Sequence, residues 1–160
     1  MIGPLTNPAM ANAQLLGVYD QALTETFSIV LKNLGCKHAL VVHGSDGLDE
    51  ITITGNTKIT ELTGKDIKTY NIHPKDFGMK PGTLADLQGG DIKDNVRIAK
   101  DILDGKKGTK RDVVLLNSAA GLMAAGTAND MKQGIHISAE SIDSGKAMDI
   151  LQTVVKFTNS

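Results

Sequence analysis

Two short, largely apolar runs, Gln14 to Tyr19 (QLLGVY) and Ala39 to Val42 (ALVV), flank a segment in which Leu23, Phe27, Val30, Leu31 and Leu34 recur at spacings of three and four. Short runs of this kind suit buried strands, and the three-and-four spacing is that of an amphipathic helix. A helix between two such strands implies a crossover, so the strands are expected to be parallel neighbours and the chain to be α/β. Asp20 is the expected N-cap of the helix and Gly35 its C-terminal stop. The dozen residues before this unit carry Pro4, Pro8, Asn7 and Asn12 and read as a loop.

Beyond it the pattern changes twice. Ile51 to Thr54, Lys58 to Leu62 and Lys68 to Ile72 alternate apolar with polar residues, with Gly55-Asn56 and Gly64-Lys65 between them, and predict three half-exposed antiparallel strands. Asp76 to Gly82 reads as irregular, and Thr83 to Leu87 as a single helical turn. Asp91 should cap a helix carrying Ile92, Val96, Ile98, Ala99, Ile102 and Leu103, ended by Gly105 and a basic loop, KKGTKR. Asp112 to Ala128 has apolar residues on nearly every face, the mark of a buried helix. A last helix is expected to start at Ser138 or Ser141 and to present Ala147, Ile150, Leu151, Val154 and Val155 as a stripe. The expected plan is α/β: a parallel-sheet core with a short antiparallel segment, followed by C-terminal helices.

Composition narrows the function classes. A chain of 160 residues, 41% hydrophobic, can bury a core as one domain without disulfides or a structural metal. Cys36 stands alone, which excludes an intrachain disulfide and fits a reducing compartment, so a cytoplasmic location is expected. The runs Val113 to Leu116 and Ala119 to Ala125 together fall short of the roughly 20 residues that span a bilayer, and MIGPLTNPAM is not a signal peptide. A formal charge of −1 and five scattered aromatics, Tyr19, Phe27, Tyr70, Phe77 and Phe157, argue against a nucleic-acid surface.

The densest chemistry lies in HGSDGLDE, His43 to Glu50, directly after the second predicted strand. Asp46, Asp49 and Glu50 fall within five residues with no Lys or Arg among them. Carboxylates gathered this closely repel unless a cation sits between them, and a loop with room for water suits Mg²⁺. The end of a parallel strand is also where open α/β sheets place ligands. A solvated acidic turn is the alternative reading of the same residues. It is not an EF-hand, since the D-x-D-x-D-G ladder is absent.

Gly3-Pro4 with Asn7-Pro8 makes a rigid loop in which Gly3 permits close approach to the backbone. Gly89-Gly90-Asp91 reads as a helix start rather than an anion site, and Lys106, Lys107, Lys110 and Arg111 as a solvated connector. His43 adjoins the acidic loop, whereas His38, His73 and His136 have no partner at ligand spacing. Asn117, inside the apolar helix, is expected to bond backbone in the interior.

GPLTNPA at Gly3 to Ala9, GVYD at Gly17 to Asp20, VVHGSDGLDE at Val41 to Glu50, LQGGDIKDN at Leu87 to Asn95, LLNSAAGL at Leu115 to Leu122 and IDSGKA at Ile142 to Ala147 resemble the C-terminal part of anthranilate phosphoribosyltransferase. That enzyme joins anthranilate to phosphoribosyl pyrophosphate in the tryptophan pathway. The pyrimidine nucleoside phosphorylases, which share its fold, match these segments poorly. The resemblance implies that Asp49 and Glu50 hold Mg²⁺ on the pyrophosphate and that Gly3 lies against anthranilate. It implies both substrates as partners and a homo-oligomeric assembly.

The resembled enzyme is roughly twice this length. Its N-terminal half supplies a helical domain, a GTGGD loop that cradles the diphosphate and a KHGNR segment that touches both substrates, and none of these occurs here. With Met1-Ile2 directly before GPL, the chain is expected to be a truncated or isolated C-terminal region and to be catalytically inactive alone. Two other readings stay open. One is a non-catalytic relative binding nucleic acid through Lys106 to Arg111. The other is a phosphoribosyltransferase or phosphorylase acting on a nucleobase.

Overall fold

A computed structural model describes residues 3–6, 8 and 11–159, without the Pro4 side chain. Strands β1 (Ala13–Gly17) and β2 (His38–Gly44) run parallel, with Ala13 opposite His38 and Gly17 opposite Val42. Helix α1 (Leu23–Asn33) makes the crossover between them. β3 (Thr57–Thr63) lies antiparallel to β2, and β4 (Asp66–Ile72) antiparallel to β3, completing a four-stranded sheet in the order β1-β2-β3-β4. The parallel core is therefore a single pair. Gly64, at φ 62°, takes the left-handed conformation in the two-residue turn between β3 and β4.

β2 is sandwiched. Its side chains alternate in direction, as the pleat requires, so Ala39 and Val41 join Leu16, Val18, Leu31, Cys36 and Leu62 on one face. Leu40 and Val42 join Ile51, Ile53, Ile59, Leu116, Ala119 and Ala120 on the other. The first face is covered by α1 through a polar seam that the spacing of its apolar residues does not reveal. Thr24 and Ser28 are buried beside Leu31, and Ser28 Oγ donates to the carbonyl oxygens of Thr24 and Thr60, whereas Leu34 is exposed. The C-terminal stop is as expected: Gly35 has φ 86° and the Cys36 amide donates to the Leu31 carbonyl, closing a Schellman-type turn. Asp20 acts two residues ahead of the N-cap, accepting the amide of Ala22, which itself occupies the cap position.

The first of the three predicted antiparallel strands is absent. Ile51, Thr52 and Ile53 are buried, but the segment makes no ladder. Its amides go to side chains instead: Ile51 to Asn117 Oδ1, Thr52 to Thr57 Oγ1 and Thr54 to Thr52 Oγ1. Alternation reports which residues are buried, and here it marks an irregular segment packed beneath the sheet rather than a strand in it.

The remainder is helical. A 3-10 turn at Pro74–Phe77 is capped by His73 and closed by Gly78 at φ 71°. α2 (Leu84–Leu87) carries a reciprocal cap between Thr83 and Asp86, and α3 (Ile92–Leu103) is capped by Asp91 as expected. The buried helix, α4 (Thr109–Ala124), begins earlier and ends earlier than its pattern suggests, so Lys110 and Arg111 belong to its first turn rather than to a loop. α5 (Met131–Asp143) fills the stretch where a helix start was expected, with Ser138 buried in its middle. α6 (Lys146–Thr158) begins only after Gly145 reverses the chain at φ 81°. α5 lies against α4 at Gly134, where a Cβ would sit 2.8 Å from the Ala119 Cα. Among the described residues no helix is long and apolar enough to cross a membrane.

Candidate functional site

The acidic loop leaves the C-terminal end of β2, where the Gly44 amide donates to the Leu48 carbonyl and the Ser45 amide to Asn56. Its three carboxylates do not gather. Asp46 turns inward and accepts the hydroxyls of Thr52 and Thr54 at 2.5 and 2.7 Å and the Leu48 amide at 3.3 Å. Burial alone would raise this carboxyl, but the two hydroxyls and the amide outweigh it and hold it below the usual carboxylate range. Asp46 is thus a tie that folds the loop back on itself, against the expectation of a three-carboxylate cluster.

Asp49 and Glu50 are left exposed, with no hydrogen bond or ion pair to another described residue. Their backbone is not loose. A Cβ on Gly17, the last residue of β1, would overlap the Asp49 carbonyl group, so the two main chains touch there. On the other side Asn117, from the middle of α4, grips Ile51 at both ends of the residue. Its Oδ1 accepts the Ile51 amide at 3.0 Å, and its Nδ2 donates to the Ile51 carbonyl at 2.8 Å and to that of Val113 at 3.0 Å. The expected interior role of Asn117 is correct, and its partner is the residue that follows Glu50.

No described group of three or more His, Cys, Asp or Glu residues is arranged to enclose a metal. Two adjacent exposed carboxylates are nonetheless a donor set that fits Mg²⁺, which keeps several waters and takes one or two carboxylates together with substrate phosphate oxygens. His43 does not join them; its Nδ1 lies 2.8 Å from the Val18 carbonyl and ties β2 to the end of β1. Gly3 opens a short 3-10 turn whose carbonyl accepts the Thr6 amide, and a Cβ there would meet nothing within 4 Å, so the backbone is open to approach. Asn7 and Ala9 of the same motif lie outside the described residues.

The basic residues are occupied. Lys106 pairs with Asp101 at 2.9 Å, Lys107 and Arg111 share Asp143 at 3.0 and 2.8 Å, and Lys110 donates to the Gln88 carbonyl. They line a cavity of about 480 Å³ beside α3 and the start of α4, in which Asp86, Asp94 and Asp101 balance the cations. Of the residues that touch the acidic loop, Gly17 is the one with the least warning in the sequence. Its signals are a glycine inside an otherwise apolar run, a place where another backbone can come close, and its position at the head of the GVYD motif.

The profile of the glycosyl transferase family, a/b domain, matches residues 1–148. The anthranilate phosphoribosyltransferase of Moorella thermoacetica is 52% identical over 160 residues, covering 100% of this chain and 47% of its own length. A crystal structure of the Thermus thermophilus anthranilate phosphoribosyltransferase superposes with a TM-score of 0.90 at 35% identity, over 99% of this chain and 47% of that one. The Saccharomyces cerevisiae enzyme in complex with PRPP and Mg superposes with a TM-score of 0.75 at 28% identity, over 86% of this chain and 40% of its own. The chain thus spans about half the length of the curated relatives it matches. With the profile running through most of its residues and the fold reproduced by solved relatives, the chain belongs to the glycosyl transferase family, within its a/b domain.

Proposed function

We propose that these residues are the C-terminal part of the α/β domain of an anthranilate phosphoribosyltransferase of tryptophan biosynthesis, with the N-terminal helical domain and first strands outside them. Asp49 and Glu50 would hold Mg²⁺ on the pyrophosphate of phosphoribosyl pyrophosphate, and Gly3 would lie against anthranilate. The observation that carries the reading is the exposed pair Asp49 and Glu50, without a hydrogen-bond or ion-pair partner among the described residues and presented on the loop that leaves the C-terminal end of β2. Similarity to named phosphoribosyltransferases along 99% of the chain supports it, as does the yeast relative solved with PRPP and Mg.

The chemistry follows from the donor set. When bound, Mg²⁺ neutralises charge accumulating on the departing diphosphate. Asp49 and Glu50 fix where that neutralisation falls, and their fixed position costs no reorganisation as the bond at ribose C1 breaks. The bare backbone at Gly3 lets a flat aromatic ring approach. An aromatic amine is already nucleophilic, so aligning it contributes more than a strong base would. The same reading makes the protein a cytoplasmic homo-oligomer, in keeping with its single buried thiol, Cys36. With every cation of the basic cluster engaged, nothing favours the nucleic-acid reading.

The test joins the intact 160-residue chain to the unmatched part of the Moorella thermoacetica relative and follows phosphoribosylanthranilate formation against Mg²⁺ concentration. Activity is expected, and Asp49→Asn or Glu50→Gln should lower it by about 100-fold or more. Unchanged Mg²⁺ dependence in both variants would overturn the assignment. The 160 residues by themselves, lacking the GTGGD and KHGNR segments, are expected to be inactive.

A further inference from the structure

The residues that place the carboxylates are distinct from the carboxylates themselves, and they come from distant parts of the chain. Asp49 and Glu50 sit between two contacts of opposite kind. From β1, Gly17 offers its bare Cα to the Asp49 main chain, and any Cβ there would overlap the Asp49 carbonyl. From α4, the Asn117 amide satisfies both the N–H and the C=O of Ile51, the residue covalently joined to Glu50.

Neither contact is demanded by the element that supplies it. Gly17 lies in a strand and does not take a positive φ, so its backbone would tolerate any residue, and only the approach of Asp49 requires glycine. Asn117 is a half-buried polar residue in a helix whose buried positions after Arg111 are all apolar. An aliphatic side chain there would favour the helix but leave two buried peptide groups of Ile51 without partners. The Ile51–Thr54 segment has no ladder to hold it. The side-chain grip of Asn117 therefore does what a neighbouring strand does elsewhere.

We propose that Gly17 and Asn117 are positioning residues for the metal-binding pair, setting the height and direction at which Asp49 and Glu50 meet Mg²⁺ and the diphosphate while touching neither. This rests on the assignment of Asp49 and Glu50 above. Its consequence is selective: disturbing either contact should weaken productive use of Mg²⁺ and leave the anthranilate side unaffected. General loss of stability would spare neither or both.

The experiment uses the completed enzyme with Gly17→Ala, Asn117→Asp and Asp49→Asn, and, as a core control, Leu116→Ala, whose side chain is buried beside Asn117 in the same helix. Asn117→Asp keeps the side chain's shape and its acceptor for the Ile51 amide but removes the donor to the Ile51 carbonyl. The Mg²⁺ concentration giving half-maximal rate, kcat and KM for anthranilate are measured for each, together with Tm. Gly17→Ala and Asn117→Asp should each raise the Mg²⁺ requirement by about tenfold and lower kcat, with KM for anthranilate within about twofold of the parent, in the range typical of residues that orient metal ligands. Leu116→Ala should lower Tm without moving the Mg²⁺ requirement.

If Asp49→Asn shifts the requirement and the two positioning variants do not, the inference fails and the assignment stands. If Asp49→Asn itself has no effect, both fail together. An equal shift in Leu116→Ala would reduce the effect to stability and overturn the inference. Should Asn117→Asp not fold, Gly17→Ala carries the same comparison alone.

Discussion

Asp46 and Asp49 are three residues apart in one loop and should behave oppositely on replacement by asparagine. Asp46 accepts two hydroxyls, from Thr52 at 2.5 Å and Thr54 at 2.7 Å, and one amide. Hydrogen bonds to a charged acceptor contribute about 1.5–3 kcal/mol each when deleted, and neutral ones about 0.5–1.5. Asparagine can keep the two hydroxyl bonds through its carbonyl oxygen, but then turns its NH₂ toward the Leu48 amide, donor against donor. The net loss for Asp46→Asn is therefore expected to be about 2–3 kcal/mol, or about 4–12 °C in Tm for a chain of this size. Asp49→Asn removes an exposed charge with no partner among the described residues and should leave stability within about 0.5 kcal/mol.

The pH dependence supplies a second signature. Because the folded-state carboxyl of Asp46 is held below its ordinary value, its contribution is fully present above the unfolded pKa, near 4, and is lost as pH falls through the lower folded value. The gap between parent and Asp46→Asn should be constant above about pH 5 and narrow below about pH 4 as the parent protonates. Urea unfolding of the chain and both variants from pH 7 to pH 3 reads all of this. Equal losses for Asp46→Asn and Asp49→Asn, or a gap that does not narrow in acid, would refute the inward tie.

Gly134→Ala should destabilise by about 1–3 kcal/mol despite the better helix propensity of alanine, because the new methyl sits 2.8 Å from the Ala119 Cα and α4 cannot yield without moving its backbone; a variant that melts at or above the parent would contradict the close approach. Ile92 and Ile150 are 83% and 66% exposed, with Val96 and Val154 also open on α3 and α6, so the isolated chain should self-associate across the micromolar range in sedimentation velocity, and Ile150→Asp should shift it toward monomer. A single monomeric species at every concentration would show that these helix faces are tolerated in water.

How far the sequence reaches depends on whether a residue's role is local. The β1-α1-β2 unit was legible because burial on both faces of β2 imposes an unbroken apolar run, and because a Schellman turn needs Gly35 whatever surrounds it. The cap at Asp91 was legible for the same reason, satisfied within three residues. The failures are residues whose partners lie far along the chain. Thr52 and Thr54 look like strand residues until Asp46 claims their hydroxyls, and the polar Thr24–Ser28 seam makes sense only once the Thr60 carbonyl is placed above it.

The acidic loop shows both sides of this. Charge repulsion brought attention to Asp46, Asp49 and Glu50 together, yet repulsion cannot say which carboxylate is satisfied from within. That is decided by two threonines whose hydroxyls are free to face it only because their own segment never joins the sheet. The consequence is functional as well as structural. A loop held by Asp46, by Gly17 across 32 positions and by Asn117 across 66 is ordered before any cation arrives. On the proposed assignment, a divalent ion at Asp49 and Glu50 would not also have to supply the free energy to order the loop, which is the circumstance in which two carboxylates would suffice.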